Sequence, residues 1–175
     1  AAWVLTAAAQ RLLRIDLRSR KLTASKGLPW TPGAIAGAGE SVWVAADDGP
    51  EVEEFDADSG KLLRQVTIHG GQSEGGLAYG AGSLWLASGD GVIRVDPRNG
   101  QIVRDFQVAG ISPMRIVFAD RAVYAARQGN GFVVKIDPVS NQVTHQPLHS
   151  WISDLAVGGG SVWVSIVPGG VYRLA

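Results

Sequence analysis

The stretch Gly82-Ser83-Leu84-Trp85-Leu86-Ala87-Ser88-Gly89-Asp90-Gly91-Val92-Ile93-Arg94-Val95-Asp96-Pro97-Arg98-Asn99-Gly100 decides the fold. Ser83 to Ala87 alternates in character around one aromatic residue and reads as a strand. Ser88 to Gly91 reads as a loop, and Val92 to Val95 as the next strand. Asp96 to Gly100 is a tight turn: Pro presets φ, Asp accepts backbone N–H groups and Gly takes the left-handed position. Reading outward adds Gly76-Leu77-Ala78-Tyr79 before this stretch and Gln101 to Val108 after it. Residues 75–110 thus hold four short strands, and no segment keeps a helical period for ten residues.

The same pattern recurs along the chain. Ala2-Trp3-Val4-Leu5, Ser41-Val42-Trp43-Val44, Ala122-Val123-Tyr124-Ala125 and Ser161-Val162-Trp163-Val164 match Ser83-Leu84-Trp85-Leu86. The aromatic positions 3, 43, 85, 124 and 163 are separated by 40, 42, 39 and 39 residues. A second marker, Asp16, Asp56, Asp96 and Asp137, keeps spacings of 40, 40 and 41. Two independent markers on one period point to a repeat architecture. Four strands per period, with turn signals every 8–12 residues, fit the blade of a β-propeller. A leucine-rich repeat is excluded because its period is about 20–29 residues. The repeats fall at approximately 1–32, 33–74, 75–113, 114–153 and 154–175, within a single all-β unit. The expected architecture is three full four-stranded antiparallel blades plus two incomplete terminal blades. A closed four-bladed ring needs one C-terminal strand, and this chain has two more. The chain is then five-bladed or, the favoured expectation, the arc of a larger propeller. The recurring Trp3, Trp43, Trp85, Tyr124 and Trp163 are expected to pack between blades. The first repeat has Arg20 where the turn asks for Gly, so that turn is expected to be looser.

Composition removes several function classes. Of 175 residues, 46% are apolar and 18% charged, and 16 basic residues balance 16 acidic ones. A broad electrostatic grip on nucleic acid or anionic lipid needs a positive excess, which is missing. With no Cys there are no disulfides, thiolate metal sites or cysteine nucleophile. No apolar run approaches the roughly 20 residues of a membrane-spanning helix. Nothing near Ala1 resembles a signal peptide, and both ends read as strands cut through structure.

The form Gly39-Glu40-Ser41-Val42-Trp43-Val44-Ala45, with Gly82-Ser83-Leu84-Trp85-Leu86-Ala87 and Gly91-Val92-Ile93-Arg94-Val95-Asp96-Pro97, resembles the blades of bacterial YVTN-type and virginiamycin B lyase-like propellers. The resemblance covers essentially the whole chain. It implies six to eight blades in the complete ring and, since such families are often exported, a periplasmic or extracellular location. The lyase member is said to use a His and acidic residues around a magnesium ion. That set does not carry over, because none of His69, His145 and His149 has an acidic residue two positions away.

Function in a propeller is expected on the face carrying the loops into each first strand, here Gly27–Pro32, Gly70–Glu74, Gly110–Pro113 and His149–Ser153, and the loops from second to third strand, among them Ala46–Glu51 and Arg127–Gly131. Candidate ligand-binding residues on that face are Trp30, Glu74, Arg115, Arg127, Trp151 and Asp154. Trp30 and Trp151 either pack over a blade edge or share an aromatic platform. Arg115 and Asp154 hold matched positions in consecutive blades, with Glu74 close to their level. They form either a neutralising ion pair or a polar rim that orients a ligand. Asp47-Asp48 with Glu51 is an acidic loop that offers too few oxygens for a cation. No nucleophile elbow, H-E-x-x-H or phosphate loop is present. The expected function is therefore non-catalytic: ligand sensing or protein interaction, with a small molecule or peptide on one face and no cofactor or metal. A second copy, or more of a longer chain, is a further expected partner that completes the ring. The alternative is a lyase- or hydrolase-like enzyme with a channel-mouth site of Glu74, Arg115 and Asp154.

Overall fold

A computed structural model describes residues 1–69, 71, 73–89, 91–108, 115–127, 129 and 131–174; for Asp48, Ser73 and Glu74 only the backbone is described. The chain is an all-β, five-bladed propeller of small antiparallel sheets. Blade 1 comprises β1 (Ala2–Thr6), β2 (Arg11–Asp16) and β3 (Lys21–Gly27). Blade 2 comprises β4 (Pro32–Ala38), β5 (Ser41–Gly49), β6 (Glu51–Asp56) and β7 (Leu62–Thr67), with the two-residue β8 (Ser73–Glu74) added to the far end of β5. Blade 3 is β9 (Leu77–Gly80), β10 (Ser83–Ser88), β11 (Gly91–Val95) and β12 (Ile102–Gln107). Blade 4 is β13 (Arg115–Ala119), β14 (Ala122–Ala126), β15 (Phe132–Ile136) and β16 (Val143–Pro147). Blade 5 is β17 (Trp151–Gly158), β18 (Ser161–Val167) and β19 (Gly170–Leu174). The terminal sheets, expected as incomplete, are blades in their own right, each three hydrogen-bonded strands wide.

The recurring Asp shapes the turn between third and fourth strands. Its carboxylate accepts the backbone N–H of Ser19, Ser59 or Ser140 at 2.6–3.0 Å in blades 1, 2 and 4. At Asp16 and Asp137 these hydrogen bonds, and at Asp56 first the Ser59 hydroxyl donating at 2.6 Å and then the Ser59 N–H, hold the carboxyl below the usual carboxylate range. At Asp96 the strongest influence is the Arg98 side chain, which donates at 2.7 Å and lowers the carboxyl to about 2.

Two readings of the sequence are corrected here. The first turn is not looser: Arg20 adopts φ 57°, the left-handed conformation that Gly60, Gly100 and Asn141 take in the other blades. The Asp16 clasp imposes the turn and the arginine backbone bears the strain. Arg20→Gly is therefore expected to raise stability by about 1 kcal/mol, read as a higher denaturation midpoint in urea. Nor is Ala46–Glu51 a loop. β5 runs through Asp47 and Asp48 to Gly49, because neighbouring backbone supplies partners. The Asp47 N–H donates to the Thr31 carbonyl at 2.7 Å, and β8 pairs alongside.

Each blade has a front face bearing the recurring aromatic and a back face, and front meets back at four junctions. At the first, Trp3, Leu5 and Leu12 of blade 1 pack on Val42, Val44 and Phe55 of blade 2. At the second, Trp43, Ala45 and Val52 meet Leu84, Leu86, Ile93 and Val95. At the third, Trp85, Val92 and Phe106 meet Ile116, Val123, Val134 and Ile136. At the fourth, Tyr124 and Val133 meet Val162, Val164, Ile166 and Leu174. Burying one such side chain stabilises by about 1.5–3 kcal/mol, so the junctions carry most of the core. Three junctions also share a polar clasp. Arg14, Arg64 and Arg94 each donate to the carbonyl of the residue after the next blade's turn Asp: Ala57 at 3.1 Å, Pro97 at 3.1 Å and Pro138 at 2.9 Å. Trp163 departs from the expected role: no blade covers it, and it remains exposed.

Candidate functional site

The first strands of blades 2 to 5, β4, β9, β13 and β17, surround a central channel. Their leading ends enclose a hollow of about 310 Å³ lined by Gly33 to Ile35, Gly75 to Leu77, Arg115 to Val117, Asp154 and Leu155. That size lies at the small end of ligand pockets. Glycine makes the room: a Cβ on Gly76 would approach Ala87 Cβ to 3.1 Å and Ile116 Cγ1 to 3.2 Å. Deeper in the channel, Ile35, Leu77, Ile116 and Val117 also line a second, apolar hollow with Tyr79, Phe118 and Val157. The channel is therefore apolar in its depth and charged at its mouth.

Among the described side chains the charge at the mouth is an ion pair across two blades. Arg115 Nε, at the start of β13, donates to Asp154 Oδ1 on β17 at 2.8 Å. The same carboxylate oxygen accepts the Leu155 N–H at 2.8 Å, which fixes its direction. Both side chains are about half-exposed. An exposed pair contributes only about 0–1 kcal/mol to stability, so this pair does not neutralise a buried charge. It sets a positive and a negative group side by side over an apolar cavity.

Of the other candidates, those with described side chains, Trp30, Arg127 and Trp151, are not brought to this pair. Trp30 packs at the edge of the first junction, beside Leu28 and Phe55, which is the packing role. Trp151 is exposed at the start of β17 and lines a separate hollow with His149, Val167 and Pro168. The two indoles line different hollows and form no shared platform. Arg127 is exposed just beyond the end of β14. The backbone of Glu74 pairs with Asp47 in β8, while its side chain, the neighbouring Gly70 and Gln72, and the loop Gly110–Pro113 lie outside the described residues. Among the described residues no group of three or more His, Asp or Glu side chains is placed to hold a metal.

A larger hollow of about 470 Å³ between blades 2 and 3, lined by residues of the β9–β10 and β11–β12 turns, escaped the sequence reading. It holds Glu54, Arg64, Arg94, Asp96 and Arg98 against Trp43 and Tyr79. Its charges are committed to structure. Arg64 and Arg94 form interblade clasps, Arg94 also donates to Ser83 Oγ at 2.9 Å, and Arg98 grips Asp96. The signal available in sequence was Glu54, an acid where Arg14, Arg94, Lys135 and Arg173 stand in the other blades. The channel mouth is the better candidate because its charged pair is half-exposed and stands over an apolar hollow.

No family model matches the chain, and no curated protein does. Solved structures do. Hydrazine synthase of Kuenenia stuttgartiensis superposes with a TM-score of 0.71 at 15% identity, over 98% of this chain and 62% of that one. BamB from Moraxella catarrhalis gives 0.66 at 16% identity, over 95% of this chain and 52% of that one. Glutaminyl cyclase of Myxococcus xanthus gives 0.66 at 18%, over 99% and 84%. The chain thus spans about three fifths of the hydrazine synthase chain and half of BamB. These β-propellers include enzymes and other proteins, so the likeness is one of fold: the chain is a β-propeller, and its activity is not set by that membership.

Proposed function

We propose that the chain is a non-catalytic binding module whose channel mouth holds a small ligand with an apolar body and a zwitterionic head, such as a free apolar amino acid or a peptide end. The observation that carries this reading is the Arg115–Asp154 pair, 2.8 Å apart and half-exposed above a hollow of apolar side chains and glycines. A pair of this kind is worth little by itself and opens at small cost. A ligand carboxylate facing Arg115, with an ammonium facing Asp154, replaces one charge-assisted contact with two. The ligand's side chain then fills the hollow beside Ile35, Leu77, Ile116 and Leu155. Catalysis needs a further group to move a proton or attack, and the described side chains lining this hollow offer only the mutually paired Arg115 and Asp154.

The test is calorimetric titration with leucine and phenylalanine, alongside their N-acetyl and C-amide derivatives. The zwitterions should bind at millimolar concentration or better, and each blocked form about tenfold more weakly, since a hydrogen bond to a charged group is worth about 1.5–3 kcal/mol. Arg115→Ala and Asp154→Ala should cause similar losses without lowering the melting temperature by more than a degree or two. Equal binding of free and blocked forms, or none at all, would refute the reading. Chemical conversion of a bound compound would favour the enzyme alternative.

A further inference from the structure

The two terminal blades each leave one face uncovered, and these are the two different halves of a blade junction. On the front of blade 5, Trp163 is 39% exposed, whereas Trp43, Trp85 and Tyr124 are buried. Val171 on β19 is 66% exposed, whereas Leu12, Val52, Val92 and Val133, at the same register in blades 1 to 4, are fully buried. On the back of blade 1, Val4 is 38% exposed where Val44, Leu86, Ala125 and Val164 are fully buried. Leu22 behind it is 58% exposed. Exposure on both faces shows that blades 5 and 1 of one chain do not pack on each other.

We propose that the front of blade 5 docks on the back of blade 1 of a second copy, joining chains head to tail by the junction already used four times inside each chain. The apolar halves correspond residue for residue: Trp163 and Val171 stand as Trp85 and Val92 do, and Val4 and Ile15 as Ala125 and Ile136 do. The polar clasp corresponds as well. Arg173 Nε donates to Ser161 Oγ at 2.8 Å, as Arg94 Nε does to Ser83 Oγ at 2.9 Å. From that anchor Arg94 reaches the carbonyl of Pro138, next to the turn Asp137 of the following blade. The matching acceptor for Arg173 is the Leu17 carbonyl, next to Asp16 in the first blade of the second copy, where Leu17 is exposed. The contact is heterologous: each chain gives one face and receives on the other, so assembly proceeds to a ring or a chain of copies. Trp163 and Arg173 are residue types that dominate such interfaces.

Sedimentation velocity on the 175-residue chain tests this. The expected result is a species of two or more chains whose share rises with concentration. Val4→Glu and Trp163→Glu should each reduce self-association at least tenfold while leaving the far-ultraviolet circular dichroism unchanged. Leu22→Glu and Val171→Glu serve the same purpose should either variant misfold. Mixing Val4→Glu with Trp163→Glu should restore a species of two chains and nothing larger, because one sound front and one sound back remain. The chain lacks cysteine, so Val4→Cys mixed with Val171→Cys should be joined by a bismaleimide into a two-chain product. A single-chain mass at every concentration overturns the proposal. So does a Val4→Cys/Val171→Cys double variant that crosslinks only within one chain, since that outcome means the ring closes on itself.

Discussion

Trp85→Ala should lower stability by about 3–5 kcal/mol and the melting temperature by roughly 10 °C or more. The indole is fully buried, its Nε1 donates to the Gly80 carbonyl at 3.0 Å, and the Arg94 guanidinium lies 5.2 Å from its ring centre. The Phe106 ring centre lies 5.8 Å from that of Trp85. Truncation leaves a cavity at the third junction, unpairs a buried carbonyl and removes the surface on which Arg94 rests before it reaches Pro138. Trp163→Ala is the internal control. Trp163 has the same register and the same hydrogen bond, to Gly158 at 2.9 Å, yet its ring is partly in solvent. In dilute, single-chain protein its loss should stay below about 1.5 kcal/mol, because the apolar area returned to water is smaller. Urea denaturation of both variants measures the difference. Equal losses would mean that the indole stabilises its own sheet and not the junction.

The contrast between these tryptophans also marks how far the sequence could be read. Trp3, Trp43, Trp85, Tyr124 and Trp163 are equivalent by spacing, and that equivalence led correctly to blades. Spacing cannot say whether a neighbour stands in front of a given ring, because that depends on whether another blade succeeds it around the central axis. The same limit applies at the channel. Arg115 and Asp154 were legible as matched positions, and the structure joins them, because first strands of adjacent blades lie side by side at one level. Trp30, Arg127 and Trp151 share a face with them by the same logic, yet Trp30 packs at the first junction and Trp151 lines a separate hollow, which the repeat does not encode. Local chemistry misled at Arg20, where the Asp16 clasp within the same turn overrode the preference of the residue, and at Asp47, where partners remote in sequence did so. Blade 2 gives the opposite case. Glu54 breaks the basic pattern of the third strand, yet Arg64 on β7 supplies the clasp to Pro97 and lies 3.5 Å from Glu54. The interblade bond is kept while the residue that makes it moves one strand outward.

Gly100→Ala should cost about 3 kcal/mol, although the change adds only one methyl group to a turn. Gly100 has φ 74°, where a side chain costs about 1–2 kcal/mol. A Cβ there would also collide with the Thr67 carbonyl oxygen and stand 3.1 Å from Val66 Cγ1. Overpacking adds about 1–3 kcal/mol. The nearest obstruction is the Thr67 backbone, and the His69 N–H pins the two segments further by donating to the Gly100 carbonyl at 3.1 Å. Relief thus requires the turn of blade 3 to move away from the outer strand of blade 2, which also strains the Arg64 clasp to Pro97 in the same turn. Gly60 provides the comparison. It has φ 70°, but its nearest obstacle is the tip of the Trp3 ring at 3.2 Å, a side chain that can yield by a few tenths of an ångström. Gly60→Ala should therefore cost little more than the conformational penalty, about 1–2 kcal/mol. Chemical denaturation of the two variants separates strain within a turn from strain between blades. A Gly100→Ala loss no greater than that of Gly60→Ala would mean that the blade 3 turn does not bear on blade 2.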